Sequence, residues 1–261
     1  MKFDIGDLVT RKSYNHDLVF IVTDIIDDIY YLKGSNIRLC ADSPEEDLEK
    51  YEDDKIDKEE EMFMERIKPS NDLDRTDYFY LPGKILHIDG DQDYLNKCLK
   101  YYNDANIWAM GICEKEENVQ IYIQEWLKEY RPNIVIITGH DAYYKKLNNK
   151  DDLNSYKNSA NFVEAVRAAR KYEQSHDKLI IIAGACQSDY EELIRAGANF
   201  ASSPKRINIH ALDPAIIATR MSLSDINKDI DLKKILEQTK YGSNGMGGII
   251  TKGTMYVGYP R

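Results

Sequence analysis

Apolar and polar positions follow two different rhythms along this chain. Over residues 2 to about 40, in FDIGDLVTRKSYNHDLVFIVTDIIDDIYYLKG, they alternate in short runs. A period of two marks half-buried strands, and LVFIVTDI and IYYLKG carry it most clearly. Gly6-Asp7 and Asn15-His16 have turn chemistry. Closely spaced short strands opening on a Gly-Asp turn predict a small SH3-like β-barrel over residues 1–45. The next stretch, ADSPEEDLEKYEDDKIDKEEEMFMERIK, has few aliphatics and many charges. It reads as a solvated helix or linker, assigned to residues 46–77.

From Tyr78 the rhythm changes. GKILHIDGD, IWAMGICE, NIVIITG and KLIIIAGA are short, nearly continuous apolar runs, and segments of helical spacing separate them. QDYLNKCLKYYNDA places Tyr94, Leu95, Cys98, Tyr101 and Tyr102 on one helix face. NVQIYIQEWLKEYRP is a helix stopped by Pro132. SANFVEAVRAARKYEQSHD is a helix with Ser159 as N-cap, and SDYEELIRAGA is one ended by Gly197. Strands alternating with helices predict an α/β domain over 78–261, built on a mostly parallel sheet flanked by helices. The glycines of YGSNGMGGIITKG lack the Gly-Lys-Ser/Thr close of a phosphate loop, so this segment reads as a flexible loop before a terminal strand, TMYVGYP.

Composition narrows the chemistry. The chain has 261 residues, 43% apolar, with a formal net charge of −10 and a pI near 5.1. That charge argues against nucleic acid or an anionic membrane surface as partner. No run approaches the roughly 20 apolar residues of a membrane span. The start MKFDIGDLVTRK has no apolar core of a signal peptide, which predicts a cytoplasmic protein. The four cysteines, Cys40, Cys98, Cys113 and Cys186, form no CxxC pair, and no histidines sit at ligand spacing. Neither a metal nor another cofactor is expected.

Two segments repeat one design. IVIITGHD and LIIIAGAC each run from aliphatic residues through a small-residue step to one reactive side chain, His140 and Cys186. Ligands of open parallel sheets bind beyond the carboxyl ends of the strands. The spacing, 186 − 140 = 46 residues, accommodates a loop, a helix and a return strand. It predicts two neighbouring parallel strands whose ends present the pair together. A thiolate beside a histidine is a strong nucleophile, and the helix expected after Cys186 would favour the thiolate and an oxyanion. Backbone N–H groups of Cys186 and of Gly139 or Asp141 are the expected oxyanion donors. His16, His87 and His176 read as structural, and His210 as a residue at the rim.

The pair and its strand ends resemble the caspase–hemoglobinase clan of cysteine peptidases, which places His after one apolar strand and Cys after the next. Asp141 departs from that clan's usual Gly after the histidine. A longer resemblance runs through FDIGDLVTRKSY, LPGKILHIDGD, ITGHDAYY, YKNSANFVEAVRAAR, AGACQSDYEELIRAGANFASSPKRINIHALDP and GTMYVGYP. These segments are similar to the YabG-type sporulation-specific proteases.

The resemblance implies a caspase-like fold and a cysteine endopeptidase of the developing spore. It would act on spore coat and cortex-associated proteins, in the mother-cell compartment or the coat, commonly after basic residues, with self-cleavage included. A basic P1 side chain needs a carboxylate. The resemblance implies an acid after the first strand, about 50 residues before the histidine. Asp91 fits first and Asp89 second. Asp189 and Asp213 could orient His140 or face the pocket. Lys205 and Arg206, in SSPKR, form a candidate self-cleavage point. Two other readings stay open: a non-catalytic flavodoxin- or receiver-like binding domain, and a thiol amidase or acyltransferase using the same pair.

Overall fold

The alternating segment at the start folds into one antiparallel sheet. In the computed structural model, which describes residues 2–51, 54–68, 73, 75–144 and 152–260, its strands are β1 (Leu8–Arg11), β2 (Phe20–Ile26), β3 (Ile29–Gly34), β4 (Cys40–Pro44) and β5 (Leu48–Lys50). Their order is β4-β3-β2-β1-β5. The inward positions of the alternation, Val9, Phe20, Val22, Tyr30, Leu32 and Leu48, join Phe3 in a buried cluster. Asn15 and His16 both have positive φ, as a tight turn between β1 and β2 demands.

Part of the charged stretch is therefore strand: β4 and β5 close this sheet on its two edges. A helix, α1 (Asp54–Arg66), follows. Residues 52–53, 69–72 and 74 of that stretch lie outside the described residues. The chain divides into two compact units, Met1–Arg66 and Ile67–Arg261.

The second unit is α/β. After β6 (Phe79–Leu81) come β7 (Ile85–Asp89), α2 (Gln92–Asp104), β8 (Ala109–Cys113), α3 (Glu116–Tyr130), β9 (Ile134–Thr138), α4 (Ser159–Tyr172), β10 (Ile180–Ala183), α5 (Tyr190–Arg195) and β11 (Phe200–Ser202). The chain ends with α6 (Asp213–Ser222), α7 (Leu232–Leu236), β12 (Met246–Gly248) and β13 (Tyr256–Gly258). The main sheet has the order β12-β11-β10-β9-β7-β8. All its pairings are parallel except the antiparallel edge strand β12. β13 pairs with β6 in a separate two-stranded sheet.

Both faces of this sheet are covered, which is why its central strands are nearly continuous apolar runs rather than alternating ones. On one face Leu86, Ile88, Val135, Ile137, Ile181 and Ala183 meet Val119, Ile123 and Leu127 of α3 and Phe162, Val163 and Val166 of α4. The other face packs against α2 and α6. Each buried isoleucine of these strands contributes about 2 kcal/mol of transfer free energy.

The glycine-rich segment near the end is not all loop. Met246 to Gly248 pair with β11, because Gly248 lets the backbone approach the Phe200 ring and the Asn199 carbonyl, 2.6 Å from where a Cβ would stand. α6, whose apolar residues are buried all round, has no amphipathic stripe to announce it.

The step between β10 and Cys186 depends on Gly184. Its φ is +98°, and an added Cβ would clash with Ser202 Oγ and stand 2.7 Å from Leu193 Cδ1. Gly184→Ala is expected to lower unfolding free energy by about 2 kcal/mol in denaturant titration. Unchanged stability would show that this turn tolerates a side chain.

Candidate active site

Strand register sets Cys186 and His140 level at neighbouring strand ends. Ala183 of β10 pairs with Ile137 of β9, and Cys186 and His140 each lie three residues further on. Gly184 N donates to the Ile137 carbonyl at 3.0 Å, and Thr138 Oγ1 donates to the Gly184 carbonyl at 2.9 Å. On the other side of β9, Asp89 pairs with Thr138, so Asp91 stands level with His140. Three adjacent parallel strands thus end in Asp91, His140 and Cys186.

His140 is held by backbone and ring. Its N–H donates to Glu116 Oε1 at 2.7 Å, and its carbonyl accepts from Asn158 Nδ2 at 2.8 Å. Nε2 lies 3.5 Å from Asp91 Oδ2, Nδ1 lies 3.9 Å from Glu116 Oε1, and the ring packs against Tyr94. The imidazole therefore sits among carboxylates and is 19% exposed. Such surroundings fix its orientation.

Glu116 was not legible as a site residue. It opens α3, and its carboxyl fits between two glycines. A Cβ on either Gly90 or Gly139 would run into Glu116 Oε1. The pairing of those two glycines at neighbouring strand ends was the available signal.

The acids expected to line a P1 pocket are differently employed. Asp91 caps α2, with Oδ1 accepting from Asp93 N at 3.0 Å and Tyr94 N at 3.2 Å, while Oδ2 faces His140. Asp89 is fully buried. It accepts from Asp91 N at 3.0 Å and lies 3.5 Å from His87 Nε2. Asp189 caps α5 and accepts from Arg206 Nη2 at 3.1 Å. Burial raises the Asp189 carboxyl above its usual range, against the pull of the Glu192 N–H and Arg206. Asp213, the other acid considered, is fully buried, with its carboxylate taking the N–H groups of His210 and Lys240 at 2.9 and 2.8 Å.

Asp141 is turned inward, and is 4% exposed. It accepts from Ala142 N at 2.9 Å, Asn158 N at 2.7 Å, Ser159 Oγ at 2.5 Å and Ser188 Oγ at 2.8 Å. Burial raises its pKa, and these four donors oppose the rise. Ser159 is not the N-cap of α4. Asn158 occupies that position without a side-chain cap bond, its amide being engaged by the His140 carbonyl and Asn161, while the Ser159 hydroxyl is engaged by Asp141.

Cys186 is fully buried. Ile209 N donates to its Sγ at 3.2 Å, and the thiol faces the Ile209 carbonyl at 3.7 Å. The segment 203–209 lies against the Cys186 turn. Gln187 N bonds the Ile207 carbonyl at 3.0 Å and Ser203 Oγ at 3.1 Å. Arg206 anchors this segment, donating to Tyr156 Oη at 2.7 Å, Asp189 Oδ1 at 3.1 Å and Glu191 Oε2 at 2.5 Å. Both Ser203 and Arg206 have positive φ, a strained conformation for such residues, and the side-chain bonds offset that cost.

The other described thiols stand in different settings. Cys113 ends β8 and is exposed, but partial burial and the carboxylates of Asp89, Asp91, Glu114 and Glu116 push its pKa up. Cys98 is buried under Ala211. Among the described residues, no group of three or more His, Cys, Asp or Glu side chains is arranged to hold a metal ion. Nor is any helix long and apolar enough to cross a membrane.

A charge-assisted anchor of the Arg206 kind contributes on the order of 1.5 kcal/mol net. Arg206→Ala should therefore raise the alkylation rate of Cys186 by about tenfold. Quenched iodoacetamide labelling with peptide mapping separates Cys186 from the exposed thiols. An unchanged rate would show that Arg206 does not govern access.

A mutant receiver domain of the histidine kinase CKI1 from Arabidopsis thaliana matches with a TM-score of 0.30 and 14% identity, over 44% of this chain and 76% of that one. A likeness that weak decides nothing. The sporulation-specific protease YabG of Bacillus subtilis (strain 168) is 41% identical, over 100% of this chain and 99% of that protein. The sequence profile of the family described as YabG peptidase U57 matches residues 4–260. The chain belongs to the YabG peptidase family.

Proposed function

We propose that this peptidase is a cysteine endopeptidase, with Cys186 as nucleophile and His140 as its proton-transfer partner. The observation that carries the reading is the matched register of the two residues at the carboxyl ends of β9 and β10. His140 takes the thiol proton, and the thiolate attacks the scissile carbonyl carbon. The tetrahedral intermediate collapses to a thioester as His140 gives its proton to the leaving amine. Water, deprotonated by His140, then hydrolyses the thioester and regenerates the thiol.

The oxyanion donors are the backbone N–H of Cys186 with those of Gly139 and Asp141. The His140 N–H is outside this set, since it is committed to Glu116. Asp91 orients the imidazole from its Nε2 side. Because the thiol is buried, the segment 203–209 must swing away before substrate enters.

The preference is for Arg or Lys at P1. Of the three acids, Asp189 supports this best, since it and Glu191 already bind a guanidinium, that of Arg206. Asp89 and Asp91 add negative potential at the neighbouring strand ends. The substrates are spore coat and cortex-associated proteins, with Lys205 and Arg206 as a self-cleavage point. The parallel sheet with its two reactive strand ends supports a caspase-like second unit, and the five-stranded antiparallel sheet supports an SH3-like barrel in the first. Membership of a peptidase family favours peptide hydrolysis over the amidase, acyltransferase and non-catalytic readings.

Fluorogenic peptides with Arg, Lys or Asp at P1 test the proposal. Cys186→Ala and His140→Ala should each lower kcat/KM by about a thousandfold or more, and the arginyl peptide should turn over fastest. Activity that survives both substitutions would end the dyad assignment. Equal turnover of arginyl and aspartyl peptides would end the basic preference.

A further inference from the structure

The ladder between β9 and β10 ends at Gly184, while the reactive residues lie two positions beyond it on each strand. We infer that Asp141 is a positioning residue, the buried link that holds the Cys186 turn against the His140 loop. The inference rests on the dyad reading above and goes beyond it by naming what keeps the two halves aligned.

The hydrogen-bond directions carry the argument. Ser188 Oγ accepts from Ala185 N at 2.9 Å, so its single proton goes to Asp141 Oδ2 at 2.8 Å. Ser159 Oγ accepts from Asp189 N at 2.8 Å, so its proton also goes to Asp141 Oδ2, at 2.5 Å. Two hydroxyls on one carboxylate oxygen thus grip the Cys186 turn immediately before and three residues after the thiol. Both serines are fully buried, so water does not compete.

The second oxygen faces the His140 side. Asp141 Oδ1 accepts from Ala142 N and Asn158 N at 2.9 and 2.7 Å. Asn158 in turn donates from Nδ2 to the His140 carbonyl at 2.8 Å. Every group facing the carboxylate is a donor, which matches an acceptor-only side chain. An asparagine presents two N–H donors to one pair of those groups and cannot satisfy the site. A glycine, the usual residue here in the clan that this chain resembles, leaves three buried donors and the half-buried Ala142 N–H without their acceptor.

The experiment compares wild type with Asp141→Asn, Ser188→Ala and Cys186→Ala. It reads kcat and KM on an arginyl peptide, and the pH dependence of Cys186 alkylation. Circular dichroism and thermal melts report folding. If Asp141 positions the pair, the Asp141 and Ser188 variants lose roughly tenfold to a hundredfold in kcat while KM stays within about twofold. Their alkylation profiles also shift toward that of an ordinary thiol, near pH 8.5.

A folded Asp141→Asn with wild-type kcat and alkylation profile would overturn the inference. If that variant does not fold, Ser188→Ala, which removes one of the four bonds, decides by the same criteria. The Cys186→Ala control keeps the two readings apart. Full activity in it defeats the dyad itself, whereas its inactivity beside a normal Asp141→Asn defeats only the positioning role.

Discussion

Everything at the candidate site depends on the parallel register of β7, β9 and β10. Hydrogen bonding fixes the stagger of adjacent strands, and a slip by one residue would turn every side chain to the other face. Asp89 and Thr138 end their strands level with Gly184, the residue after β10, so the residues two positions on are level too. The helices on both faces make that register costly to change, because nearly every strand side chain is buried. The reactive residues thereby inherit the rigidity of the sheet although they stand just outside it.

Beyond the strand ends the chain uses carboxylates as fasteners. Glu116 takes the N–H of His140, Asp91 faces its ring, and Asp141 ties its loop to the Cys186 turn. Both oxygens of Asp141 meet N–H or O–H donors, which is the condition under which buried charge is tolerated. The segment 203–209 follows the same logic, with one arginine shared among Tyr156, Asp189 and Glu191. Its Ile209 N–H lies against the Cys186 thiol.

Much of this was legible in the sequence. The central strands announced themselves as continuous aliphatic runs, and their common small-residue step marked His140 and Cys186. Local patterns could not show what depends on distant partners. Leu48 to Lys50 are too few and too charged to read as a strand, yet β1 pairs with them. β12 is mostly glycine, and its pairing is set by the neighbouring Phe200 ring. Glu116 looked like any acidic residue at a helix start. Asp141 looked like an intrusion on the oxyanion donors, because its four partners come from segments up to 47 residues away. Asp91, the acid expected to meet P1, is engaged by the helix it caps and by the histidine.

The most direct test of the paired strand ends is covalent. The protein is treated with an arginyl chloromethyl ketone, which alkylates a nucleophile held at the scissile position, and the adduct is mapped by mass spectrometry. A single adduct on Cys186 that disappears in His140→Ala is the predicted result. Labelling of Cys40, Cys98 or Cys113 instead, or peptide hydrolysis continuing at full rate with Cys186 blocked, would contradict the account.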